Sequence, residues 1–255
     1  MSEPLFGLQL YTVREALEAD FKGTMQRLYD LGIRNLEIYG GLPLPPKESA
    51  ALFKDMGFSV ISGHLPLPIG DEGPANIEAA KTFGMSSYFV PWISPETYAD
   101  RESVEAFAML LNDSCKVAAD AGMEFGYHNH EFEFTNKIDG VPAYTILREA
   151  TDPEVKFEVD TYWAQFGGVD PLELIHELGA RASMIHIKDG PLDPNDRNAH
   201  MLPFGEGKMD IPAIVEAGKD VDAKAIYVEL DHCATDMMEA VEKSWNYLKE
   251  QGIIS

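Results

Sequence analysis

The amino-acid sequence predicts an α/β fold, a single (β/α)8 barrel, and three observations carry that prediction. Short apolar strands alternate with helices eight times along the chain. The helices repeatedly stop at glycine, as at Gly32, Gly57, Gly84, Gly122 and Gly179, the residue that closes a helix most readily. The length, 255 residues, is what eight βα units require. An open doubly wound sheet is the alternative, but no glycine fingerprint of the GxGxxG or GxxxxGKS/T kind supports it. No linker or low-complexity stretch divides residues 1–255, so one domain is expected.

The elements follow in order. Leu5–Leu10 is the first strand, and after QLYTVRE a helix runs through Phe21–Leu31. Arg34–Tyr39 is the second strand, with Leu36 and Ile38 on one face and Asn35, Glu37 and Tyr39 on the other. A Pro-rich turn at Pro43–Pro46 leads into a helix ending at Met56, and Phe58–His64 is the third strand. A helix around Asn76–Phe83 precedes strand four, Ser86–Val90, and a long helix covers about Glu102–Ala121. Strand five opens the stretch Gly122–Phe134, GMEFGYHNHEFEF, and a helix follows near Ala143–Ala150. Val155–Thr161 is strand six, Pro171–Leu178 a helix, and Ser183–Lys188 strand seven. A long loop, Asp189–Met209, leads to a helix over Ile211–Ala217; Ala225–Asp231 is strand eight and Met237–Glu250 the last helix.

Composition narrows the function. Hydrophobic residues make up 45% of the chain, enough for a sizeable core. Lys+Arg 20 against Asp+Glu 43 gives a net charge of −23. Such a surface repels phosphate backbones and anionic membranes, so neither nucleic acid nor membrane is an expected partner. No apolar run approaches the roughly 20 residues of a membrane span, and the first ten residues lack the pattern of a secretory signal. Two cysteines, Cys115 and Cys233, form no disulfide framework, and a reducing cytoplasm is the expected setting.

The polar side chains gather at strand ends. In strand five Glu124, Gly126, His128 and His130 share one face, opposite Phe125, Tyr127 and Asn129. Buried imidazoles need partners, so two histidines at a strand end suit a site at the barrel mouth better than a core. Strand six sets Glu158 and Asp160 against Phe157 and Val159; strand seven sets His186 and Lys188 against Ile185 and Ile187; strand eight sets Tyr227, Glu229 and Asp231 against Ile226, Val228 and Leu230. Four successive strands thus aim ionisable groups at one end of the barrel, a set of oxygen and nitrogen donors suited to a divalent ion such as Mn²⁺, Mg²⁺, Co²⁺ or Zn²⁺. The bland alternatives are a helix N-cap for Asp160, a rim salt bridge for Glu229 and a satisfied core histidine for His186.

The segments QLYTVRE, YHNHEFEF, EVDTYWA with GGVDP, HIKDG, FGEGKMDIPAI and YVELD resemble, in this order, the xylose-isomerase-like TIM-barrel family. That family includes sugar (phosphate) isomerases and epimerases, inosose dehydratases and, more distantly, endonuclease IV enzymes. The resemblance implies a metal, Mn²⁺ first among the ions above, held by Glu, Asp, His and Glu at the ends of strands five to eight. Asp160, His186 and Glu229 match three positions; at strand five His128 stands where the family has Glu, leaving His130 and Glu133 as candidate fourth ligands. His128, His130, Glu229 and Lys188 are then the candidate acid/base groups. Glu37, His64, Arg14 and Trp163, with Trp92 and Asp189, are candidate substrate contacts.

The implied activity is isomerisation or epimerisation of a sugar or keto-sugar, by proton abstraction beside a metal-chelated carbonyl through an enediolate. Dehydration or β-elimination on a keto-inositol or 3-keto-sugar is the alternative, and a non-catalytic sugar-binding barrel a third. A nuclease role conflicts with the net charge of −23. The partner expected is a small sugar or polyol, with a homo-oligomer also compatible with the sequence. The loop segment Phe204–Lys208, FGEGK, reads either as a mobile lid or as an ordinary long connection.

Overall fold

The computed structural model describes residues 3–255. Eight strands close into a parallel barrel: β1 (Leu5–Gln9), β2 (Asn35–Tyr39), β3 (Ser59–His64), β4 (Ser87–Val90), β5 (Glu124–His128), β6 (Lys156–Asp160), β7 (Ala182–Ile187) and β8 (Ala225–Val228). Each strand pairs with its neighbours in chain order, and β8 closes on β1 through Leu5↔Ala225 and Leu8↔Val228. The expected strand centres hold throughout and the ends differ by a residue or a few. β8 is the most shortened: the Glu229 N–H still bonds to the Ile187 carbonyl at 3.1 Å, but the Leu230 N–H turns to the Thr12 hydroxyl.

The strand alternation separates two apolar layers. Outward residues such as Leu36, Ile38, Phe125, Tyr127, Ile185 and Ile187 pack under the helices in one continuous core. Inside, Phe89, Met184, Ala225 and Tyr227 form a plug with Ile61 against it. The ionisable side chains stand above this plug. Gly126 belongs to the close packing beneath them: a Cβ there would lie 2.5 Å from the Lys156 carbonyl and 2.6 Å from the Phe89 ring.

Two register shifts aim the site. Between β2 and β3 the pairing steps from Leu36↔Val60 to Glu37↔Ser62, and between β6 and β7 from Phe157↔Ala182 to Glu158↔Met184. Each inserts one extra residue and re-aims the side chains beyond it. The first lets Ser62 reach Glu37; the second sets Asp160 beside His186.

Additional short elements appear where the sequence showed none: a 3-10 turn at Leu10–Val13, helices Arg14–Ala19, Phe132–Thr135 and Thr161–Phe166, and a hairpin of Lys137–Ile138 with Val141–Pro142. All are far shorter than the window of about 11–18 residues over which a helical period is read, or the roughly 4–8 residues of a strand pattern, which is why periodicity missed them. No helix among the described residues is long and apolar enough to cross a membrane.

Candidate active site

At the carboxyl end of the strands the inward residues converge on one another. His128 from β5, Asp160 from β6, His186 from β7 and Glu229, just past β8, each offer a donor atom within 4.8 Å of the others. A second, overlapping set is His64, His128, Glu158 and His186. All of these residues are buried. Glu158 lies among three imidazoles: its Oε2 is 2.5 Å from His64 Nε2 and 3.1 Å from His128 Nδ1, and its Oε1 is 3.3 Å from His186 Nε2. His186 Nδ1 is 2.7 Å from Glu229 Oε2, and its Nε2 is 2.5 Å from Glu37 Oε2.

Lys188 fills the centre of the upper tier. Its Nζ is 2.9 Å from Asp160 Oδ2, 2.9 Å from Glu229 Oε2 and 2.8 Å from Asp231 Oδ1. With 1% of its surface exposed, this ammonium survives burial because three carboxylates surround it. Asp160 divides its labour. One oxygen accepts from the Trp163 N–H at 2.9 Å and caps the helix Thr161–Phe166, while Oδ2 faces the cluster. The N-cap and the site therefore use different oxygens of one carboxylate.

Ionisation follows from this crowding. Burial opposes charge on His186 and Lys188, yet the facing carboxylates hold both well above their ordinary values. Burial, helped by the neighbouring His186 and His64, keeps His128 well below its ordinary value, although Glu158 pulls the other way. His130 is lowered to about 3 by burial and by nearby Lys188, so it is a neutral imidazole at physiological pH. Desolvation raises Asp160 to about 6 despite Lys188.

The donor set fits a divalent ion. Glu158 Oε1 and Asp160 Oδ2 are buried without a hydrogen bond; the nitrogens 3.3 Å and 2.9 Å away make ionic contacts that are not aligned as hydrogen bonds. Those oxygens and the neutral His128 offer lone pairs, and the surplus of carboxylates draws positive charge into the pocket.

Each expected residue has a definite place. His128, Asp160, His186, Glu229 and Lys188 come together as described. His64 joins them from β3 and is 7% exposed at the cavity. Glu133 does not: its carboxylate turns behind β5, accepting from the Tyr127 hydroxyl at 2.6 Å and the His130 N–H at 2.9 Å. His130 lies outside both donor sets, its ring centroid 5.2 Å from that of His128 and stacked on Phe132. At strand five it is His128, and neither His130 nor Glu133, that joins the donor sets, because the chain leaves the strand after His128 and the short helix Phe132–Thr135 swings Glu133 outward.

Glu37, expected to touch substrate, is fully buried below the cluster, held by Gln9 at 2.9 Å and Ser62 at 2.6 Å. Arg14 donates at 2.9 Å to the carbonyls of Tyr11 and Asp231, tying the ends of β1 and β8 together. Trp163 is 2% exposed and donates to Asp231 Oδ2 at 3.0 Å, forming a wall behind Lys188. Neither Arg14 nor Trp163 lines the cavity over the cluster, which measures about 360 Å³ and is bordered by His130, Lys188, Glu229, Asp231, Tyr11 and Trp92.

The loop after β7 is anchored at its root. Asp189, fully buried, accepts N–H groups from Gly190, Gly205, Gly207 and Met209 at 2.8–3.1 Å. The FGEGK segment is thus a braced connection with its glycines wrapped on one carboxylate. Strand parity turns Glu158 and Asp231 inward but assigns them no role; the structure sets both among the clustered charges.

Comparisons place this geometry among known proteins. A family model described as "Xylose isomerase-like TIM barrel" matches residues 75–251. A sugar phosphate isomerase/epimerase structure from Parabacteroides distasonis ATCC 8503 superposes with a TM-score of 0.82 at 25% identity, covering 100% of this chain and 96% of that one. An L-ribulose 3-epimerase structure shares the fold with a TM-score of 0.72 at 14% identity, over 97% of this chain and 94% of that one. Inosose dehydratase of Geobacillus kaustophilus (strain HTA426) is 32% identical over 80 residues, 31% of this chain and 25% of that relative.

Proposed function

Because this chain belongs to the xylose isomerase-like TIM barrel family, we propose that it is a metal-dependent isomerase or epimerase of a sugar or keto-sugar. The observation that supports the reading most is the buried set His128, Asp160, His186 and Glu229 beneath an open cavity edged by His130 and Lys188. Those four residues would hold the ion, Mn²⁺ by preference, with His186 giving up, on binding, the proton that Glu37 and Glu229 favour in the metal-free protein. A divalent ion bound there polarises a substrate carbonyl and its neighbouring hydroxyl and so acidifies the C–H between them.

The chain's own groups supply the rest. His130, a neutral imidazole bordering the cavity, would accept the proton from that carbon, leaving an enediolate. The Lys188 ammonium, poised between Asp160, Glu229 and Asp231, donates to the developing oxyanion. Glu229 shares its Oε2 between Lys188 and His186, orienting both. Tyr11 and Trp92, 40% and 54% exposed at the cavity edge, offer flat apolar faces for a sugar ring. Returning the proton to the neighbouring carbon isomerises; a proton delivered by a second group to the opposite face of the same carbon epimerises.

Dehydration is the second reading, favoured by the same lysine. A buried ammonium can protonate a departing β-hydroxyl, and the partial match to an inosose dehydratase points the same way. A solvent-deuterium wash-in assay across ketoses, keto-sugars and inososes separates the two. Label in recovered sugar without loss of water supports the isomerase or epimerase. Unsaturated, dehydrated product supports the lyase. No exchange with any carbonyl substrate rejects both and favours a binding barrel.

A further inference from the structure

The polar cavity opens sideways into a second, larger and more apolar one. This groove, about 690 Å³, shares Gly40, His64, Pro91 and Trp92 with the first cavity and runs out between the loops after β3 and β4. Its walls are Leu65, Pro66, Leu67, Ile69, Val90 and Ile93. At its outer end stand Asp71, Glu72 and Asn76, and neither Lys nor Arg lines it. The Trp92 ring, 54% exposed, stands at the junction.

Continuity and charge together define what belongs there. The first cavity, about 360 Å³, is near the lower limit for a small-molecule site and carries the titratable groups. The groove offers hydrocarbon and a negative rim, so it favours an uncharged apolar group and repels a phosphate. We propose that this groove is a subsite for an apolar, aromatic substituent carried by the substrate, which makes the substrate a keto-sugar bearing such a group, as in a keto-glycoside, and not a sugar phosphate. The assignment rests on the sugar reading of the first cavity. It adds that Leu67 and Ile69, which line the groove alone, set specificity without touching the reacting ring.

Calorimetric titration tests it with four probes: methyl β-D-glucopyranoside, 2-naphthyl β-D-glucopyranoside, glucose 6-phosphate and free 2-naphthol. The naphthyl glycoside should bind about 10- to 100-fold tighter than the methyl glycoside, from the apolar area it buries. Glucose 6-phosphate should bind no better than the methyl glycoside. Leu67→Asp and Ile69→Asp, each checked for folding by circular dichroism, should abolish the naphthyl gain and leave methyl glycoside affinity unchanged. Equal affinity for the two glycosides, tighter binding of the phosphate, or a gain insensitive to both variants overturns the proposal. The 2-naphthol arm keeps the two readings apart. If no glycoside binds but 2-naphthol does, and both variants lose it, the apolar subsite stands and the sugar reading fails.

Discussion

At the residue scale, the pocket is governed by how buried charge is compensated. Lys188 neutralises Asp160, Glu229 and Asp231 from a position that water barely reaches. Lys188→Met should therefore lower the stability of the metal-free protein by about 3–5 kcal/mol in urea unfolding, the range for breaking a buried ion pair. Added Mn²⁺ should recover part of that loss, since the ion replaces the missing positive charge. Glu133 tests a different balance. Burial raises it to about 8 although Tyr127 and His130 donate to it. The unfolded carboxyl loses its proton near its ordinary value of 4.5. Between 4.5 and about 8 the folded state therefore binds the extra proton, and stability falls as pH rises through that window. Glu133→Gln should remove this slope from the difference between variant and parent while keeping the fold. Glu133→Ala should cost about 1–3 kcal/mol for each stranded donor.

At the element scale, one carboxylate gathers four N–H groups of the loop between β7 and the helix Ile211–Asp220. Asp189→Ala leaves the N–H groups of Gly190, Gly205, Gly207 and Met209 without their acceptor. Limited proteolysis should then cut within 190–209 faster than in the parent, with cleavage elsewhere unchanged. Element by element, the sequence was legible where side chains repeat. Strands such as MIHIKD and IYVELD separate inward from outward residues by parity alone, and the inward His186, Lys188, Glu229 and Asp231 stand where parity puts them. Parity ends with the strand. After His128 the chain turns, so His130 keeps the right phase on paper yet stacks on Phe132, and Glu133 goes to Tyr127. Arg14 illustrates a second limit. Its partners are backbone carbonyls, one of them 217 residues away in sequence, and no side-chain pattern announces such a contact. The depth of Glu37 was likewise hidden, because parity gives the face of a strand but not the height along the barrel axis.

At the scale of the whole molecule, the barrel concentrates negative charge within and without. The chain's net charge of −23 should keep it off nucleic acid, and abasic duplex DNA at physiological salt should show no measurable binding in a fluorescence anisotropy titration. Inside, four separate strands deliver the donors His128, Asp160, His186 and Glu229, which are far apart in sequence and converge only when the barrel closes. That makes metal binding a direct report on the folded mouth. The decisive measurement is a calorimetric titration of Mn²⁺ into metal-stripped protein, in the parent and in His128→Ala, Asp160→Asn, His130→Ala and Glu133→Gln. The account predicts one ion per chain in the parent, sharply weakened binding in His128→Ala and Asp160→Asn, and affinity within about 10–100-fold of the parent in the other two. No ion bound by the parent, or unchanged affinity in both His128→Ala and Asp160→Asn, would contradict it.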